Sequence, residues 1–145
     1  MQKKLVDSPP LIYEAAVSVR FSDFDFYGHV NASRYLDFVS CSRWSFLYER
    51  FQVGPEYFYQ ENLGFYVLNS SIQFKKAITR LGNIWVTSFT EEQSFSTMGV
   101  AFSITSSEKD VEYASGNFRF AIMDLDKQKP KKLPIWAQKY FYHLD

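Results

Sequence analysis

The stretch Val19-Arg20-Phe21-Ser22-Asp23-Phe24-Asp25-Phe26-Tyr27-Gly28-His29-Val30-Asn31 marks a change of backbone regime. Before and into it, Ala15 to Ser22 alternates. Val17, Val19 and Phe21 share one face, and Ser18, Arg20 and Ser22 the other, the pattern of a half-buried strand. Asp, Gly and Asn crowd residues 23–31, which predicts a turn. After it, Ala32 to Phe51 holds no Gly or Pro, and Tyr35, Phe38, Val39, Ser42 and Phe46 recur at helical spacing. Asn31 is a favoured N-cap for that helix. Leu36, Cys41, Trp44 and Leu47 lie on neighbouring faces, so the helix is expected to be wrapped on several sides, with Cys41 buried.

Gly54-Pro55 closes this unit. From about Gly64 the pattern becomes strands and short turns. Leu68, Ser70, Ile72 and Phe74 alternate with their neighbours, and Leu81-Gly82-Asn83 is a turn. Ile84 to Glu92 is a strand, Met98 to Ile104 alternates, and Tyr113 to Met123 is the last long strand. Asp126 to Pro134 reads as a basic, solvated tail. One strand, one long helix and about four consecutive strands predict a single α+β domain over residues 1–145. Its antiparallel sheet curves around an apolar helix. Such a sheet has open edges, so a homodimer or homotetramer is expected.

Composition narrows the function. Lys plus Arg and Asp plus Glu both total 16, so no global charge favours nucleic acid or an anionic membrane. Aromatic residues make up 19%, more ring area than a small core needs, which suggests an apolar surface buried in a partner or ligand. Cys41 is the one cysteine, so no internal disulfide can form. Met1 to Pro10 lacks the apolar core of a signal peptide, and no apolar run has the length of a membrane span. A cytoplasmic location is expected. His29 and His143 are the only histidines, and His143 lies near a terminus that commonly frays. Nucleophile triads therefore have little to build on.

The junction itself suggests a chemistry. The N–H groups of a helix start carry partial positive charge and can hold an oxyanion. A carboxylate beside them can activate water or attack a carbonyl directly. A thioester suits this device, because its thiolate leaving group needs little acid assistance. Asp23 reads as structural, accepting backbone N–H groups or pairing with Arg20. Asp23, Asp25 and His29 offer only three ligands with no others nearby, so no metal site is expected.

Arg20, Phe21, Asp23, Asp25, Gly28, His29, Val30, Asn31 and Tyr35 stand in the register of D-x-D-x-x-G-H-V-N-N followed by a helix tyrosine. The sequence thereby resembles the 4-hydroxybenzoyl-CoA and acyl-CoA thioesterase branch of the hotdog superfamily. The resemblance implies a hotdog fold, hydrolysis of a coenzyme A or acyl-carrier-protein thioester, and homo-oligomers. It makes Asp25 the catalytic carboxylate, with His29 positioning and with Asn31 and Ala32 shaping the oxyanion site. Tyr35 and Ser42 are candidates to face the acyl group. Lys75, Lys76 and Arg80 are candidates for the phosphates of coenzyme A, which enters as part of the substrate; no resident cofactor is expected. Two positions depart from the pattern. The motif's second Asn is Ala32, and the usual aromatic-x-x-Pro reads Phe74-Lys75-Lys76-Ala77. A hotdog protein that binds acyl thioesters without turnover is one alternative. A hydratase or dehydratase is another, although its Asp-x-Asn-Pro-x-His spacing is missing.

Overall fold

In a computed structural model describing residues 6–144, β1 (Tyr13–Val19) buries every second side chain, Tyr13, Ala15, Val17 and Val19. Of the N-terminal stretch read for a signal peptide, residues 1–5 lie outside the described residues. The strand stops at Val19. The alternation that places Phe21 on the face of Val17 and Val19 breaks, because Phe21–Asp23 folds into a 3-10 turn that leaves Phe21 exposed. A second 3-10 turn, Ala32–Arg34, leads into α1 (Tyr35–Phe51), so the predicted helix begins one turn tighter than expected. Tyr35, Phe38, Val39, Ser42, Arg43 and Leu47 form the buried face of α1. Cys41 falls on the opposite side and is exposed, which corrects the expectation that it is packed. Gln52, in the left-handed region at φ 57°, ends the helix.

Gly54-Pro55 starts another element instead of only ending one. Pro55 sits at the first position of α2 (Pro55–Gln60), where its missing N–H costs nothing. Then follow β2 (Leu63–Phe74), β3 (Gly82–Gln93), β4 (Thr97–Ser106), β5 (Glu112–Asp124) and the short β6 (Lys129–Pro130). The sheet is antiparallel in the order β1-β3-β4-β5-β2, with β6 added to β5. This is the hotdog arrangement: a curled sheet closing on one long helix. The inner faces of β3, β4 and β5 supply Ile84, Val86, Met98, Val100, Ile104 and Ile122, all buried under α1. One site fixes strand spacing tightly. A Cβ on Gly116 would sit 2.0 Å from the Ser71 carbonyl oxygen, so only glycine allows β5 to approach β2 there.

The C-terminal segment is the main departure from the sequence reading. The basic run is exposed, yet Lys129–Pro130 pairs with β5 and Leu133 is buried. Beyond it, a 3-10 helix over Ile135–Tyr140 seals the end of the core with Ala137, Tyr140, Phe141 and Tyr142. Leu11 N–H donates to the Phe141 carbonyl at 2.8 Å, and the Tyr142 hydroxyl donates to Gln93 Oε1 at 2.6 Å. The backbone near His143 is likewise tied down, its N–H donating to the Pro9 carbonyl at 2.9 Å. Phe141→Ala is expected to lower unfolding stability by about 3–5 kcal/mol, the usual cost of deleting a buried ring. A denaturant midpoint shift no larger than the ~0.5 kcal/mol of a surface substitution would remove this segment from the core.

Candidate active site

Asp23 organises the loop between β1 and α1. It is buried, and its Oδ2 accepts the Arg20 N–H at 2.8 Å. Its carbonyl accepts the Asn31 N–H at 2.8 Å, and its Oδ1 lies 3.7 Å from Arg34 Nε and 3.8 Å from the Arg20 guanidinium. One residue thus ties the end of the strand to the start of the helix. Inside that tie, Phe24 bridges Val30, and Asp25 exchanges backbone and side-chain bonds with the turn. The Asp25 N–H donates to the His29 carbonyl at 2.8 Å. Asp25 Oδ1 accepts the Tyr27 N–H at 2.9 Å and the His29 N–H at 3.2 Å. Gly28 closes the turn at φ 79°, a conformation that side chains rarely adopt. These bonds fix the carboxyl of Asp25 through one oxygen and leave Oδ2 outside the turn.

The amides at the helix start can be accounted for individually. Val30 N–H donates to Ile78, Asn31 N–H to Asp23, and Arg34 N–H to Asn31. The Asn31 side chain caps Ser33 N–H at 3.0 Å, and Tyr35 N–H donates to Ala32. Among the amides from Val30 to Tyr35, the Ala32 N–H alone has no acceptor. Asn31 was expected to cap the helix and so to shape the oxyanion site. Its N–H is engaged by Asp23, so its part is to cap the helix.

A cleft of about 320 Å³ opens on this junction, lined by Asp25, His29, Val30, Ala32, Tyr35 and the segment 74–77. It brings together Asp25, His29, Ala32, Tyr35, Lys75 and Lys76. The two departures from the family pattern, Ala32 and Phe74-Lys75-Lys76-Ala77, face each other across it. Val30, Phe74 and Ala77 line it without having been singled out for function. Tyr35 packs edge-on to Phe74 at 5.0 Å between centroids, and burial pushes its phenol up despite a backbone hydrogen bond from Ile78, so it remains protonated. Lys75 is engaged by Glu112 at 2.6 Å, and that hydrogen bond draws the Glu112 carboxyl below its ordinary range. Lys76 also borders a neighbouring polar depression of about 530 Å³, which holds Arg80 together with Glu108 and Asp110. Ser42 stands apart. It is buried, and its hydroxyl donates to the Val39 carbonyl at 2.7 Å, within the helix and outside the cleft. Among the described residues no group of three or more His, Cys, Asp or Glu is placed to hold a metal ion, and no helix is long and apolar enough to cross a membrane.

Residues 19–141 match the family model described as the thioesterase-like superfamily. The chain belongs to that superfamily. Its membership makes it a thioesterase-type enzyme, and its fold agrees with solved relatives of the same architecture. The probable thioesterase YbaW from Escherichia coli is 23% identical, with a TM-score of 0.74 over 88% of this chain and 95% of that one. Slr0204, a 1,4-dihydroxy-2-naphthoyl-CoA thioesterase from Synechocystis, is 16% identical, with a TM-score of 0.78 over 89% and 94%. SAV2348 from Staphylococcus aureus, solved in complex with CoA, is 9% identical, with a TM-score of 0.76 over 91% and 82%. No curated protein sequence matches the chain.

Asp23→Ala leaves the Arg20 N–H without its charged acceptor, at a cost of about 2–3 kcal/mol. Asp23→Asn keeps one acceptor and costs less. Thermal unfolding ranks the two, and amide exchange at Arg20 and Asn31 should quicken in the Ala variant. Unchanged exchange there would deny Asp23 its role as the tie.

Proposed function

We propose that this thioesterase-like enzyme hydrolyses acyl thioesters of coenzyme A or of an acyl carrier protein in the cleft at the start of α1. The observation that carries the reading is the pairing of a fixed carboxylate, Asp25, with the unengaged Ala32 N–H in one open cleft. Asp25 acts as general base: it takes a proton from water as the water oxygen attacks the thioester carbonyl. The carbonyl oxygen becomes an oxyanion, and the Ala32 N–H with the positive end of the helix stabilises it. Collapse breaks the carbon–sulfur bond and releases the thiolate, which takes up a proton. Attack by Asp25 itself, through an anhydride that water then opens, uses the same groups. His29 holds the loop through both its N–H and its carbonyl, which supports a positioning role.

Lys76 and Arg80 are the cations best placed for the phosphates of coenzyme A, because Lys75 is already paired with Glu112. The working enzyme is a homodimer joined through β2. That strand is a sheet edge of 12 residues with Tyr66, Val67, Leu68 and Phe74 exposed. Phe21, Phe26 and Tyr27, exposed beside the cleft, extend the apolar surface that a second subunit covers.

The test is thiol release from a panel of short, long and aromatic acyl-CoAs. Asp25→Asn keeps an oxygen to accept the Tyr27 and His29 N–H groups but cannot act as a base. It is expected to fold normally and to lose about 10²–10⁴-fold in kcat, the usual worth of a positioned base. Asp25→Ala loses the turn as well and should also melt earlier. Near-wild-type turnover by a folded Asp25→Asn protein would end this assignment.

A further inference from the structure

A second cavity, of about 170 Å³, lies between α1 and the β2–β5 side of the sheet. Trp44, Phe58, Phe65, Phe118 and Phe120 wall it with rings, and Arg43 is also part of its lining. A dry cavity of roughly 150 Å³ admits a benzene-sized group, so the space suits the end of an acyl chain or one ring. Tyr35, at the Asp25 cleft, and Arg43 are eight positions apart on α1, which is about 12 Å along the axis. Both openings also lie along β2, marked by Phe74 at the cleft and Val67 at the cavity. An acyl group held by its thioester at the cleft and lying along the helix therefore brings its far end to Arg43.

Rings alone would suit a hydrocarbon tail. Arg43 does not fit that description. The residue is only 9% exposed, yet among the described residues no Asp or Glu forms an ion pair with it. One N–H donates to Ser88 Oγ at 2.9 Å, and the guanidinium carbon lies 4.1 Å from the Tyr13 ring centroid. Tyr13 supplies no negative charge, since burial pushes its phenol up to about 12 and its hydroxyl donates to the Tyr140 carbonyl. With one neutral protein acceptor, and with no Arg43 nitrogen among the buried atoms left unpartnered, the rest of the five-donor fork is open to water or a ligand. A buried charge without a counter-charge is costly to keep in a fold.

We propose that this cavity receives the far end of the acyl group and that this end carries a carboxylate, bound by Arg43. The proposal rests on the thioesterase reading above. One cation with the Ser40 hydroxyl at the cavity's border matches a single negative charge better than a phosphate. A carboxylate also offers the planar pair of acceptors that a guanidinium fork fits. The substrate class is then the half-thioester of a dicarboxylic acid.

The experiment uses the full-length protein and straight-chain acyl-CoAs made in matched pairs, one with a methyl and one with a carboxylate terminus. At the chain length that spans cleft to cavity, wild-type kcat/KM should favour the carboxylate member by about tenfold or more, the effect of a charge-assisted hydrogen bond. Arg43→Met should reverse that ratio, and Arg43→Lys should keep part of it. Indifference of the wild type at every length, or a preference for methyl ends, would overturn the proposal without any variant. Calorimetric titration of the same pairs reads the preference independently of turnover. Absent thiol release with a retained binding preference would defeat the thioesterase reading and leave the assignment of the cavity standing.

Discussion

A single buried carboxylate holds the working end of this protein together. Asp23 accepts the Arg20 amide, just past the strand, through its side chain and the Asn31 amide through its carbonyl, and it sits between the guanidiniums of Arg20 and Arg34. An ionised group can stay buried in a turn only when donors and positive charge surround it. Here those donors come from the two elements that must meet. The loop consequently has little freedom, and the geometry of everything inside it follows from that one residue.

Two results of this constraint matter for chemistry. The first is the orientation of Asp25. Its Oδ1 serves as the acceptor of the turn, which leaves Oδ2 for the base role proposed for this side chain. The second is the accounting of amides. Every N–H from Val30 to Tyr35 except that of Ala32 has a partner, Val30 at the Ile78 carbonyl and the others within the turn or helix. Ala32 lines the cleft, and its N–H is the one amide of this run left without an acceptor.

The loop and the order of elements were legible because their signals are local. Alternation in β1, the Gly-free and Pro-free run of α1 and the cap at Asn31 each act within a few residues. What escaped were features decided at long range. The Phe21 side chain continues the strand's alternation on paper, but Asp23 turns the backbone one residue earlier. Pro55 reads as a stop and serves as a first helical position. Leu133, Ala137 and Tyr140 follow a lysine-rich run, and nothing near them in sequence tells that they return to cap the core. Arg43 is the extreme case, since arginine is among the residues least often buried and only packing against Tyr13 and Ser88 reveals it.

The irregularity in β2 has a consequence for assembly. Pairing with β5 slips between Val67 and Asn69, so Leu68 is an extra residue and the strand bends there. A strand that docks on the open edge meets two straight segments at an angle, not one flat ribbon. Only a partner bent at the matching place can follow both, and a second copy lying antiparallel brings such a bend by symmetry. For the homodimer proposed above, the kink acts as a keyhole: it disfavours flat strands, and with them edge-to-edge stacking into fibres, while fitting a self-complementary alignment.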